Sequence, residues 1–257
     1  MSVPPPRPLP FLALALAVGA ALVTSVACTP EPDDPAAAPK TAPVKPKLNP
    51  PKECEGKNDP VLTAPYLDDF DRADLGADWR QTSFGAYTIK SGSVCTAKPK
   101  NHPLWLKKKL PANVRVEFDA KALTAEIDIK AELFGDGCAF DEAGRDYTAT
   151  SYVAVLGAHK NTEDWLVRQF EHGKDARKTT LSPTGETIAT SKVQANHSYH
   201  FELSRTDGRE VRFVVDGVVV HAFDDPAPLV GLGHDHFAFN GWEAAVCFDK
   251  LAITPLP

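Results

Sequence analysis

The feature that most constrains this chain is a strict alternation of apolar and polar side chains, repeated in segment after segment from residue 114 onward. Val114, Val116 and Phe118 share one side of their run, and Arg115, Glu117 and Asp119 share the other. Over residues 126–133, Ile127, Ile129, Ala131 and Leu133 alternate with Glu126, Asp128, Lys130 and Glu132. Tyr199, Phe201 and Leu203 oppose His200 and Glu202, and Val211, Phe213 and Val215 line one face of the next run. Phe237 and Phe239 oppose His236, Ala238 and Asn240. Successive side chains of a strand point to opposite faces, so these runs are expected as strands of antiparallel sheets with one buried face. Asp207-Gly208 and Asp216-Gly217 sit between runs, and Asp-Gly is a hairpin signal because glycine tolerates positive φ. No helical stretch longer than a turn or two is evident, which leaves an all-β sandwich or barrel.

The first sixty residues have a different character. Arg7 precedes an uncharged apolar run over residues 11–27, shorter than the about 20 residues that span a membrane as a helix. A positive start, an apolar middle and small residues at the end are the layout of a secretory signal. Ser25-Val26-Ala27-Cys28 resembles the lipobox of bacterial lipoproteins, with Ser25 where leucine is usual. That resemblance implies cleavage after Ala27 and acylation of Cys28; the alternative is an ordinary cleavable signal with an incidental thiol. Residues 29–53 are dominated by Pro, Ala and Lys and bury too little apolar area to fold, so they are expected as a tether. The expected organisation is a signal peptide over 1–27, the lipidated Cys28 and Pro-rich tether over 28–59, and a β-sandwich domain over 60–257. The product is expected outside the cytoplasm, anchored to a membrane of the cell envelope and facing periplasm or exterior.

The other cysteines are Cys54, Cys95, Cys138 and Cys247. In an oxidising compartment four cysteines suggest two disulfides, with three pairings open. None has the close Cys-x-x-Cys spacing of a thiolate metal site. A net charge of −6 argues against a nucleic-acid partner, which would want a basic stripe.

The phrase from Asp68 to Trp79, with Asp69, Phe70, Arg72 and Leu75-Gly76, resembles the opening of concanavalin A-like, laminin G-like jelly-roll domains. The end, from Val211 through Asp216-Gly217 to Phe248-Asp249-Lys250-Leu251, resembles their closing strands, which return beside the first strand. The likeness covers residues 66–255. It implies two stacked, curved antiparallel sheets whose concave face binds glycans in relatives; this fold hosts lectins, glycanases and adhesion modules alike.

Four groups of residues are candidates for chemistry. Glu126, Asp128 and Glu132 fall on one strand face and look like the acidic strand of laminarinase-type glycanases, where paired carboxylates cleave the glycosidic bond; a solvated sheet face gives the same letters. Trp165, Arg168, Glu171 and His172, with His234 and Trp242 further on, offer the aromatic and planar polar groups that sugar recognition uses. The dull alternative puts Trp165 in the core and Arg168 in an ion pair with Glu171. His234 and His236 flank Asp235 and are weighed as metal ligands against a simple hydrogen-bonded loop. Asp69 within the acidic cluster and Asp249 in the returning strand are the expected ligands of a structural calcium, which laminin G-like relatives often hold; no other cofactor is expected.

The leading expectation is a monomeric, surface-anchored lipoprotein whose non-catalytic sandwich binds a glycan or another extracellular polymer. A glycan-active enzyme, of the 3-keto-disaccharide hydrolase or laminarinase-like type, is the second reading, and a structural envelope or adhesion protein the third.

Overall fold

A computed structural model describes residue 54 and residues 56–124, 127–138, 140–141, 146–147, 150–169, 178–180, 193–231 and 233–257. The expected signal, Cys28 and most of the tether lie outside the described residues. The chain begins with β1 (Tyr66–Asp68), β2 (Trp79–Gln81), β3 (Tyr87–Lys90), β4 (Ser93–Thr96) and β5 (Leu104–Leu106). Next come β6 (Val114–Ala122), β7 (Ile129–Gly135), the short pair β8 (Phe140–Asp141) and β9 (Asp146–Tyr147), and β10 (Ser151–Gly157). A four-residue turn, α1 (Ala158–Asn161), leads to β11 (Glu163–Gln169) and β12 (Lys178–Thr180). The chain closes with β13 (Tyr199–Arg205), β14 (Glu210–Val215), β15 (Val218–Asp224), β16 (His236–Asn240) and β17 (Val246–Pro255).

These strands make a two-sheet antiparallel jelly-roll sandwich. One sheet runs β15-β14-β13-β6-β17-β4-β3 with β1 also on β17, and the other runs β12-β11-β10-β7-β16-β5-β2. The last strand does return beside the first, pairing Tyr66 with Ile253 and Asp68 with Leu251. Both Asp-Gly hairpins form; at the second, Asp216 and Gly217 take φ 48° and 77°, the positive pair that lets two residues join β14 to β15.

The alternating apolar residues fill the space between the sheets. Phe118 stacks on Phe201 within one sheet at 4.9 Å and meets Phe239 of the other edge-on at 5.2 Å. Phe239 stacks in turn on Phe248 at 4.2 Å. Each buried phenylalanine contributes about 1.5–3 kcal/mol relative to exposure. In β17 the inward set shifts phase, from Val246 and Phe248 to Leu251 and Ile253, and a bulge between Asp249 and Ala252 absorbs the extra residue.

Two expectations need correction. Strict alternation from Glu126 does not hold, because β7 starts only at Ile129: Ile127 and Asp128 take φ 52° and 72°. This irregular step lets Ile127 as well as Ile129 reach the core, packed where Gly157 leaves room; a Cβ there would meet the Ile127 side chain at 2.4 Å. Second, the outward face of the seven-stranded sheet is not a solvated polar surface. Every residue of β16 is buried, as are Trp105, Glu132 and Ser151 on the same outward side.

The four cysteines form two disulfides. Cys95 and Cys247 face each other across β4 and β17. Cys54 joins Cys138, whose carbonyl accepts the Trp105 indole N–H at 2.8 Å. Asp59 adds an ion pair to Arg80 at 3.1 Å and lies 3.2 Å from His236 Nε2. Among the described residues, Cys54 and Asp59, which precede residue 60, are already attached to the sandwich.

Candidate functional site

Strand register lines up two rows on the outward face of the seven-stranded sheet. Val167, Val153, Glu132, Ala238, Trp105 and Arg80 form one row. Trp165, Val155, Lys130 and Asn240 form the next, one neighbour per about 4.8 Å of strand spacing. The centre of the first row is sealed. The second row stays partly open at Trp165 and Lys130, and past Asn240 the chain turns through Gly241 to Trp242, which is 41% exposed.

A polar cluster occupies the ground between the two tryptophans. Lys130 Nζ donates to Asn101 Oδ1 at 2.8 Å and stands 3.7 Å from Asp128 Oδ2. Burial raises the Asp128 carboxyl, opposed by the Lys130 ammonium and a hydrogen bond from the Trp242 backbone. The Trp242 carbonyl accepts the N–H of Lys100 at 2.9 Å, and the Gly241 carbonyl accepts that of Asn101 at 2.8 Å. The 98–101 turn is thereby laced to the backbone of the Trp242 turn, and Asp128, Lys130 and Asn101 are half-buried.

Beneath them Glu132 has no exposed surface. Its Oε2 accepts from Ser151 Oγ at 2.7 Å and its Oε1 from Asn240 Nδ2 at 2.5 Å. Burial pushes this carboxyl up to about 7 despite those two bonds. A carboxyl so enclosed is not open to solvent. Asp128 and Glu132, expected as a catalytic pair, therefore occupy different settings, one at the open row and one sealed. Glu126 lies outside the described residues.

The expected ligand-binding residues divide. Trp165 is on the outward face, its indole N–H donating to Glu163 at 2.6 Å and its ring edge-on to His159 at 4.6 Å. Arg168 lies on the opposite face of β11, 2.6 Å from Asp225 and bonded to the Ala227 carbonyl. It makes an ion pair with Asp225. Glu171 and His172 lie outside the described residues. His234 Nε2 is 2.6 Å from Thr150 Oγ1, which also donates to Asp136 at 2.7 Å. His236 sits between Asp59 and Asp235, so each histidine of the expected metal pair has its own neighbours.

Asp69 accepts the Asp71 N–H, and Asp249 accepts from Ser93 Oγ and the Lys250 N–H. Among the described residues the one cluster of three ligating side chains is Cys54, Asp136 and Cys138, whose sulfurs are joined to each other. Asn101 and Ser151 were not anticipated; nothing in the pattern around either residue points to Lys130 or Glu132.

No protein-family model and no curated protein matches the chain. Solved structures do. The carbohydrate recognition domain of Emp46p, in potassium-bound form, aligns with a TM-score of 0.51 at 11% identity, over 74% of this chain and 95% of its own. The carbohydrate-binding module CBM66 from Bacillus subtilis gives 0.49 at 13% identity, over 70% and 98%. A Bacillus subtilis protein of unknown function with a galectin-like fold gives 0.49 at 14% identity, over 74% and 94%. At such identities a likeness bears on the fold alone, and the sandwich itself is seen in the strand pairing. The matched structures include carbohydrate-binding, galectin-like, glycosyl hydrolase and alginate lyase chains.

Proposed function

We propose that the protein is a non-catalytic glycan-binding module, exported and held at the cell envelope by a lipid on Cys28. The observation that carries the binding reading is the row from Trp165 through Lys130 toward Trp242. The half-buried Trp165 and the exposed Trp242 stand at the two ends of a run that carries an ammonium, a carboxylate and an amide. An indole covers the apolar side of a pyranose while planar polar groups take its hydroxyls. The enclosure of Glu132 weighs against a glycosidase, which needs two carboxyls open to the bond being cleaved. The Pro-rich composition before Cys54 supports the anchor reading, since proline-rich sequences suit a spacer between a membrane and a domain.

The test is a glycan array with the purified full chain, followed by titration of any ligand found. Trp165→Ala and Trp242→Ala should each weaken binding by about tenfold or more, the scale of an anchor residue. Binding unaffected by both variants, or no glycan bound at all, rules the site out. Mass spectrometry of the mature N-terminus should find acylated Cys28; a mature chain retaining a free Cys28 thiol refutes the anchor.

A further inference from the structure

Glu132 and the Gly241 backbone just ahead of Trp242 are joined through one side chain, that of Asn240. The Asn240 amide donates from Nδ2 to Glu132 Oε1 at 2.5 Å, and its Oδ1 accepts the Gly241 N–H at 2.7 Å. An amide held at both ends cannot rotate, so its donor and acceptor ends are set together. The Gly241 and Trp242 carbonyls then hold the N–H groups of Asn101 and Lys100. Gly241 also packs against Pro99, where a Cβ would come within 3.2 Å. We propose that Glu132 is a positioning residue: through the Asn240 amide it sets the posture of the Trp242 turn, so the open site answers to a carboxyl that the ligand never touches.

The relay has a direction. Ionised Glu132 accepts a charge-assisted bond from Asn240, about twice as strong as a neutral one, while the protonated acid holds the amide more weakly. Several groups among the described residues bear on Glu132. Lys130 of its own strand favours the anion and Asp136 after the strand disfavours it; Ser151 of β10 and Asn240 of β16 donate to it. Tyr87 also feels its charge, and its hydroxyl is already committed to the His102 and Phe239 carbonyls. Titration near neutrality therefore tightens the Trp242 turn as pH rises.

This inference rests on the proposed glycan site for its purpose, but its test does not. Acrylamide quenching is measured on the full chain between about pH 5.5 and 8.5 and compared with Trp242→Phe, so the difference reports Trp242 alone. Quenching of Trp242 should fall by about twofold across that range as the turn tightens. Glu132→Gln should abolish the pH dependence. Ser151→Ala, which removes one donor to the carboxylate while leaving the Asn240 arm intact, should move the midpoint to higher pH.

An unchanged midpoint in Ser151→Ala overturns the proposal, as does a pH dependence that survives in Glu132→Gln. A flat Trp242 signal in the unaltered protein does the same. If a bound glycan is found, its affinity should rise with the same midpoint. If none is found yet Trp242 titrates as described, the relay stands and the glycan reading fails.

Discussion

The indole nitrogen of Trp79 donates to Asp68 Oδ2 at 2.8 Å, and the start of the domain is assembled around that bond. Arg72 grips both oxygens of the same carboxylate at 2.5 and 2.9 Å, and the Phe70 N–H donates at 2.9 Å. The phrase running from Asp68 to Trp79 is thus one hydrogen-bonded knot centred on a buried acid.

Removing that acid should be costly. Asp68→Ala leaves the Trp79 N–H and part of the Arg72 guanidinium without an acceptor, a loss of about 2–4 kcal/mol by denaturant unfolding. Burial alone would raise the Asp68 carboxyl, but hydrogen bonds from Arg72, Trp79 and Phe70 prevail and hold it below its ordinary value. A depressed carboxyl contributes stability that is present above its unfolded value and lost as pH falls through the folded one. Asp68→Asn should therefore show a flatter acid limb below about pH 4. An equally steep limb would mean that another carboxylate governs acid unfolding.

Glu132 carries the opposite sign. With its carboxyl up at about 7 in the folded chain and 4.5 as the ordinary value, the fold retains a proton that the unfolded chain releases across that interval. Stability from this group declines as pH rises from about 4.5 to 7, by about 2–3 kcal/mol in all. Glu132→Gln should gain on the unaltered protein over the same interval. Parallel pH profiles for the two proteins would show the acid to be ionised throughout.

How far the sequence revealed this architecture depends on what each residue type signals. Val116, Phe118, Phe201 and Phe213 announce their inward face because the strand period is two and the alternation is unbroken. Asp216-Gly217 announces its turn because few other pairs accept positive φ twice. The phase change in β17 was not legible, since a bulge leaves no mark in composition. Nor was the sealing of Glu132: an outward position reads as solvated unless the covering chain is known. Trp165 and Trp242 were found as candidates from chemistry alone, whereas Asn101 reaches Lys130 only through the pairing of distant turns. Within the acidic phrase the letters did not reveal that Asp68 is the carboxylate held by Arg72 and Trp79.

The Cys54–Cys138 disulfide spans 84 residues and fixes the root of the tether. Loop-closure entropy assigns such a link about 4.6 kcal/mol, with measured values commonly 2–4. The paired change Cys54→Ser and Cys138→Ser should lower stability on that scale while keeping the sandwich, since Cys95–Cys247 remains within the other sheet. Limited proteolysis should then cut near residues 54–60 at least about tenfold faster, as local opening there becomes cheaper. Cleavage at an unchanged rate would show that the Asp59 contacts with Arg80 and His236 suffice to hold the segment.

Arg168 and Trp165 are three residues apart on β11 yet project to opposite faces, and their variants should separate accordingly. Arg168 meets Asp225 at 2.6 Å, and the same carboxylate accepts the Tyr152 hydroxyl at 2.6 Å. The Tyr152 oxygen in turn accepts the Leu229 N–H at 3.1 Å, while Arg205 holds the Leu229 carbonyl at 2.8 Å. Arg168→Ala removes the partner of a buried carboxylate, which costs about 3–5 kcal/mol in comparable pairs. It should lower the unfolding midpoint and leave ligand affinity in the surviving folded fraction unchanged. Trp165→Ala should do the reverse, with stability altered by less than about 1 kcal/mol and affinity reduced, because the indole is only half-buried on the open row. Calorimetric unfolding and ligand titration on the two proteins read both quantities. If Arg168→Ala instead weakens binding without loss of stability, the ligand face of the sandwich has to be moved to the other side of β11.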